Sequence, residues 1–492
     1  MQYNLTLQEV KDLAKHVKGD LIPLTIELLS DQHTPITVIK KLKQASTHCF
    51  LLESVDNRQK WGRYTFLGYD PSLALTCLDY QVTLTDSQGK VEELLETPQE
   101  VIRALLSKNR GIVLPSLPPF TGGLVGYFSY DFIKYSEPTL HLDAQDSEQF
   151  KDVDLMLFDQ VICFDNFRQK IILIANIRLE NIEAEYEKAQ RQLSDLRERI
   201  LDTNPALEVG GELLGPLEFL FDESQYCSMV EAAKRYIYEG DIFQVVLSNR
   251  LQAPFRGSLL DTYRLLRTTN PSPYMFYFSG CDVEIAGASP ETLVKLQDRI
   301  LHTFPLAGTR PRGKDEAEDL ANEQALLSDE KELAEHNMLV DLGRNDLGRI
   351  SEFGTVAVEE YLSVERFSHV MHLGSTIRGV LKEGCDALDA INAVLPAGTL
   401  SGAPKIRACQ IINELENNKR GIYGGAIGYL GFSGNMDTCI AIRIAYKKNG
   451  KVFVRSGAGI VADSVSENEW KECADKARAV TNAIEEASGG LV

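Results

Sequence analysis

The sequence predicts an α+β fold with largely antiparallel sheets. Three observations predict it. Strand-like and helix-like runs are mixed without a regular βαβ alternation. Two stretches, QVICFDNFRQKIILIANI (160–177) and TLVKLQDRILHTFPLAG (292–308), read as hairpins turning on DNFRQ and on residues 297–299. The long stretch from GGAIGY to GIVADS (424–464) reads as successive antiparallel strands. With 492 residues the chain is ample for a sizeable core, in about two to four domains or one large one.

The elements follow in order. Residues 1–18 read as a short amphipathic helix. FLLESV (50–55), RYTFLGYD (63–70), ALTCLD (74–79) and QVTLTD (81–86) are β-type runs separated by turn residues. Residues 96–108 look helical, and PSLPPFTGGLVGYFSYD (115–131) gives a Pro-rich loop followed by a strand pair punctuated by glycine. Residues 180–202 are charged and helix-forming; TNPALEVGGELLGP (203–216) has no period and several breakers. A boundary belongs there, between a unit at 20–178, a helix and linker at 179–219 and a unit at 220–485; a surface loop within one domain is the alternative. Beyond it come a helix capped by Asp222 or Ser224, the strand FQVVLSNRLQ, and helices near 315–342, 386–395, 403–418 and 467–487. GGLVGYFSYD at 122 is echoed by GGAIGYLGF at 424, by chance or as two related sheet elements.

Composition excludes several classes. The net charge of −20 argues against binding a phosphate backbone, which needs a basic face. A small anionic substrate is still compatible, through a local basic pocket. The densest apolar run, IILIA, is too short to span a bilayer. The first twenty residues lack a basic segment followed by an apolar one, so no secretory signal is expected. Nine scattered cysteines with no CxxC pair predict reduced thiols in a cytoplasmic protein.

The chemistry concentrates in a few motifs. Glu332 and Glu335, in DEKELAEHNMLVDLGRNDLGR, share a helix face, and so do Glu469 and Glu472 in SENEWKECADKARAV. Two such pairs converging would suit a hard divalent cation such as Mg²⁺; solvated helix faces are the alternative. In TFPLAGTRPRGKDE a strand ends in a loop whose Gly308 and Thr309 N–H groups, beside two arginines, suit an anion, or it is a basic surface loop. Gly457 and Gly459 around Ala458 allow close approach of a ligand, or make a tight strand turn. Thr399 lies in LPAGTLSGAPKIRA, a loop opening a helix near Pro404, where an anion or a plain cap would sit. His369 and His372 share a face only on a helix. Glu291, after a proline at a strand mouth, is a general acid if burial raises its pKa, and an edge acid otherwise.

Together, in this order, the motifs LLES, GRYTFLGYDP, GDIFQVVLS, NPSPYMFYF, ASPET, PLAGTRPRG, EHNMLVDLGRND, PAGTLSGAPK, GGAIGY, CIAIR, GAGIVADS and EWKECADKA are specific. The chain resembles the chorismate-utilising enzymes, most closely anthranilate synthase component I, over about residues 20–485. The resemblance implies large antiparallel sheets packed as a sandwich with helices outside. It implies Mg²⁺-dependent conversion of chorismate and ammonia to anthranilate and pyruvate, the first committed step of tryptophan biosynthesis. Ammonia would come from glutamine through a separate amidotransferase subunit, in a hetero-oligomer, since no Cys here stands in a nucleophile-elbow context.

The same resemblance implies roles. Glu335 and Glu472 would hold the metal, with Glu332 and Glu469 beside them. Tyr423, Arg443, Gly457, Ala458, Gly459 and Lys476 would hold the chorismate carboxylates; Gly308, Thr309 and Thr399 would line the same pocket. Glu291 would be the general acid, and His372 would polarise the substrate or assist loss of pyruvate. Gln244 stands where water-adding relatives carry a lysine base, and Ala307 where aminodeoxychorismate synthase commonly carries a nucleophilic lysine. Ser54, Pro273, Tyr274 and Met275 match a tryptophan-binding feedback element. SENE lacks a proline that relatives often have, and IRI often reads IRT. The alternatives are aminodeoxychorismate synthase component I, or a non-catalytic tryptophan-binding regulator on the same scaffold.

Overall fold

The computed structural model describes residues 2–54, 62–204, 206, 209–366 and 370–491. Two large sheets of antiparallel strands stack face to face. The first runs Leu21–Leu29, Lys170–Arg178, Gln160–Asp165, Tyr64–Tyr69, Cys49–Glu53, Tyr274–Ser279, Glu284–Ser289, Ile444–Lys448, Lys451–Ile460, Gln244–Arg256 and Glu212–Leu213. The second runs Leu306–Pro311, Val370–Val380, Ile300–Thr303, Thr292–Gln297, Met436–Ile440, Ala426–Gly431, Gly123–Phe128, Val153–Phe158, Leu73–Leu78, Gln81–Asp86 and Val91–Leu94.

Between the sheets lies an aromatic core that includes Phe50, Phe66, Phe120, Tyr127, Phe158, Phe276 and Tyr446. Phe50 meets Phe158 edge-on at 4.7 Å between ring centres, the offset geometry that aromatic quadrupoles favour. Helices cover the outer faces. Ile182–Leu201, Pro35–Ala45, Leu260–Thr269 and Ser466–Ala487 pack on the first sheet; Pro98–Ser107, Glu330–Gly348 and Ala387–Val394 pack on the second. The sandwich with external helices is as expected.

Each sheet draws strands from both sides of residues 179–219, so the two chain segments share both layers. The echoed segments are neighbours in the second sheet, Gly126 facing Gly428 and Leu124 facing Leu430, so a local two-fold relates them.

Four local expectations are corrected. The strand pair at 115–131 is a single strand, Gly123–Phe128, followed by a 3₁₀ segment, Tyr130–Tyr135. The helix at 315–342 is two helices, Glu316–Ser328 and Glu330–Gly348, parted at Asp329. Asp329 has an extended backbone, and its carboxylate accepts from the N–H groups of Lys331 and Glu332, which starts a new helix. The Gly308–Thr309 segment lies inside the strand Leu306–Pro311, and Gly457–Gly459 lies inside Lys451–Ile460; neither is a loop or turn. The Asp222 cap, the 160–177 hairpin and the turn at Asp298 and Arg299 agree with the sequence.

Candidate active site and a second cavity

The expected site residues come together where the glycine-bearing strand, two strands of the second sheet and two acidic helices meet. Glu291 leaves the first sheet just before Thr292–Gln297 begins. Its Oε1 accepts a hydrogen bond from Thr399 Oγ1 at 2.9 Å. Burial pushes its pKa up to about 7, against the pull of Thr399 and of the Lys476 ammonium. A carboxyl so tuned is about half protonated at neutral pH and can give its proton away.

Lys476 joins two parts of the site. Its Nζ donates to the Gly457 carbonyl at 3.2 Å and pairs with Glu472 at 2.7 Å, one helical turn away. Crowding against backbone requires glycine at Gly457, whereas at Gly459 the close neighbour is the end of the Gln244 side chain. A β-carbon at Gly457 would lie 2.7 Å from the Leu247 carbonyl and 3.0 Å from Tyr423 Oη; one at Gly459 would lie 2.8 Å from Gln244 Nε2. Ala458, between them, is fully buried in the core on the other face, so only its backbone borders the site. Gln244 is nearly buried at the start of its strand, with its amide against this segment.

Tyr423 is buried, and Arg443 is partly buried at φ +54°. The two interact electrostatically, and burial lowers the Arg443 pKa from its ordinary value. Arg443 in turn acts on His372, whose pKa is lowered chiefly by burial. His372 Nδ1 lies 2.8 Å from the Gly308 carbonyl and 3.1 Å from Thr309 Oγ1. The carbonyl can only accept, so the proton sits on Nδ1 and Nε2 carries the lone pair in the neutral ring. His369 lies outside the described residues.

Gly308 has φ +67°, and a β-carbon there would come within 3.2 Å of Glu332 Oε2. The strand thus touches the first acidic helix. Glu335 is raised above its usual pKa by burial, then by Glu332, with Glu472 contributing. Glu469 is raised by burial and by Glu472. The four carboxylates, on two helices distant in sequence, feel one another as like charges. Among the described residues no three or more His, Cys, Asp or Glu side chains stand close enough to hold a metal on their own. An incomplete set of carboxylate oxygens suits Mg²⁺, which keeps several waters and takes further ligands from substrate.

Ser54, Pro273, Tyr274 and Met275 all border a separate cavity of about 670 Å³ between the sheets. Met275 is itself fully buried in the cluster on the first sheet's outer face, so Tyr274 presents the larger surface to the cavity. Sequence reasoning passed over Glu53, which also lines this cavity; it is gripped by Tyr263 Oη at 2.5 Å and Arg267 Nε at 2.8 Å. Its signal was present as the third letter of LLES. Pro290 and Thr292 line the cavity as well, while Glu291 between them is bonded to Thr399 in the other site. Tyr274 Oη stands 2.9 Å from Thr292 Oγ1 and 2.8 Å from Asp437 Oδ1.

Among the described residues no disulfide joins the cysteines, and no helix is long and apolar enough to cross a membrane.

A family model described as chorismate binding enzyme matches residues 47–482. The anthranilate synthase component 1 of Acetivibrio thermocellus is 46% identical over 98% of both chains, and that of Acinetobacter calcoaceticus 45% over 96% of both. Among solved structures, anthranilate synthase component I from Streptococcus pneumoniae matches with a TM-score of 0.74 and 37% identity, over 92% of this chain and 99% of that one. The menaquinone-specific isochorismate synthase of Escherichia coli matches with a TM-score of 0.70 over 97% of this chain and 98% of that one, at 19% identity, a likeness of fold alone.

Proposed function

The chain belongs to the chorismate binding enzyme family and, within it, to the anthranilate synthase component 1 enzymes, and we propose that it converts chorismate and ammonia to anthranilate, pyruvate and water. The observation that carries this reading is the meeting of Glu291, Thr399 and Lys476 with Gly457 beside Tyr423. It supplies a proton donor next to cationic and backbone groups that suit carboxylates.

In this reading Arg443, Lys476 and the N–H groups of the glycine strand bind the two carboxylates of chorismate. Gln244, nearly buried with its amide against Gly459, faces the incoming ammonia in this reading; a glutamine cannot act as the base that water would need. Glu291 delivers its proton to the ring hydroxyl, which leaves as water while the C–N bond forms. His372, a neutral imidazole, assists loss of pyruvate as the ring becomes aromatic. Glu335 and Glu472, supported by Glu332 and Glu469, would hold Mg²⁺, which when bound neutralises carboxylate charge on the substrate. The ammonia is supplied by a glutamine amidotransferase subunit.

The second cavity takes tryptophan in this proposal. It is large enough for an indole, and Ser54, Glu53 and Tyr274 offer polar anchors. Its wall residues Pro290 and Thr292 flank Glu291, so filling the cavity would act on the acid through its two neighbours.

The deciding experiment mixes the purified chain with chorismate, ammonium at alkaline pH and Mg²⁺, and follows anthranilate fluorescence with and without tryptophan. Signal that needs Mg²⁺ and falls with tryptophan supports reaction, metal and feedback together. Chorismate loss without that signal would replace this reading by a sibling reaction.

A further inference from the structure

Glu335, His336 and Asn337 follow one another near the start of the helix Glu330–Gly348, and the reaction above uses only the first. The other two are held from a single place. His336 is fully buried, and its Nε2 lies 2.7 Å from Ser375 Oγ. Its Nδ1 has no hydrogen-bond partner among the described residues, so Ser375 supplies the polar contact that fixes the ring. Asn337 Oδ1 accepts from Tyr361 Oη at 2.5 Å.

Both contacts come from an irregularity in the second sheet. The strand Ala357–Arg366 pairs with Val370–Val380. Between the pairs Glu360–Thr376 and Ser363–Gly374, the two residues Tyr361 and Leu362 stand against Ser375 alone, which is a β-bulge. Leu362 takes φ +55°, a conformation that is unfavourable for a bulky side chain and persists only where the surroundings hold it. Here its N–H donates to Ser375 Oγ at 3.1 Å, and its side chain packs against the cluster of Leu326, Met371 and Leu373. One buried hydroxyl thus joins the bulge, its partner strand and the helix. Farther along the same helix, Lys405 Nζ donates to Asp346 at 2.9 Å.

Successive residues of an α-helix point about 100° apart. Contacts at His336 and Asn337 therefore oppose both rotation of the helix about its axis and sliding along it. Glu335, one residue earlier, has its direction set by them. We infer that Ser375, Tyr361, His336 and Asn337 form a clamp, built on the strained bulge, whose work is to aim the Glu335 carboxylate into the active site; these are positioning residues. The inference rests on the chorismate reading with its Mg²⁺ site and deepens it, since none of the clamp side chains is placed on substrate or metal.

The test follows metal binding apart from turnover. Mn²⁺ is the probe, its binding to the purified chain read by electron paramagnetic resonance with isophthalate, a dicarboxylate that cannot react, in place of substrate. Steady-state turnover gives the Mg²⁺ concentration for half-maximal rate. His336→Leu should weaken Mn²⁺ binding about tenfold, the scale seen for groups that orient a metal's ligands. It should raise the half-maximal Mg²⁺ concentration by a similar factor, with kcat at saturating Mg²⁺ within about threefold of the parent. His336→Gln, whose amide can reach Ser375, should recover most of the loss. A helix that is only a structural support would lose stability in these variants without this split.

Tyr361 is 55% exposed, so Tyr361→Phe leaves the core intact and covers a His336→Leu chain that fails to fold. It should weaken Mn²⁺ binding about threefold, the scale of one lost hydrogen bond. Parental Mn²⁺ affinity in folded His336→Leu or in Tyr361→Phe overturns the inference, and so does a His336→Gln chain as weak as His336→Leu. A parent chain that binds Mn²⁺ no better than Glu335→Gln does would sink the metal reading on which the clamp depends.

Discussion

A carboxyl group that titrates at about 7 is half protonated at neutral pH, and Glu291 is such a group. Its raised pKa means it is a proton donor below pH 7 and loses that capacity above it. At a fixed concentration of free NH₃, kcat/KM for chorismate should therefore fall toward tenfold per unit as pH rises beyond about 7. A profile flat to pH 9 under those conditions would remove Glu291 as the acid. Glu291→Gln should lower kcat by about 10² to 10⁴ while leaving KM nearly unchanged. Single residues were legible in the sequence where spacing alone carries the message. Glu332 with Glu335 and Glu469 with Glu472 had to share a face once helical, but only the fold shows that the pairs act on each other. Glu416 and Arg420 illustrate the limit. Four apart at the end of the helix Lys405–Glu416, they look in sequence like an ordinary solvent-facing pair; that both are buried is a tertiary fact.

Among elements, the short break at Asp329 matters most. It ends one helix and starts the next, and its carboxylate also pairs with Arg310 at 2.7 Å. Arg310 reaches Glu332 as well. Asp329→Ala should cost about 1–2 kcal/mol as a lost helix cap, and it should raise the Mg²⁺ concentration needed for half-maximal rate. Denaturant unfolding and a Mg²⁺ titration check the two parts; equal metal requirement in parent and variant would separate this cap from the acidic pair. The amphipathic helices and hairpins were readable because their periods are set by their own residues. The helix Leu260–Thr269 and the strand Leu21–Leu29 went unassigned: the first has Leu259 at its N-cap position with no side-chain cap bond, and the second is buried through six successive residues, so no alternation marks it. In sequence the end of the strand Leu306–Pro311 reads as a loop because Gly308 and the prolines suggest breaks, whereas a register shift at Ala307–Thr309 absorbs the glycine within the pairing.

At the scale of the whole molecule, the Glu291 site and the cavity share one short segment, Pro290–Thr292. Ser54→Phe should block tryptophan binding and relieve inhibition with turnover near normal; unchanged sensitivity would remove Ser54 from the feedback site. Thr292→Val should act differently. It cuts the contact to Tyr274 Oη without filling the cavity. Tryptophan should still bind with similar affinity by calorimetry, yet inhibition at saturation should become incomplete, since binding and coupling are separate free energies. Full inhibition in that variant would show that the coupling takes another path. The interleaving of strands from both halves also bears on how the chain is made. The strand Gly123–Phe128 leaves the ribosome with one edge awaiting Ala426–Gly431, some three hundred residues later. Until then its hydrogen-bonding groups and the aromatic side chains behind them have no native cover. Such long-range closure is slow, and a nascent chain paused midway is a template for aggregation. A chaperone that holds the amino-terminal portion during synthesis would raise the yield of active enzyme, whereas a truncated gene would yield no folded piece from either end.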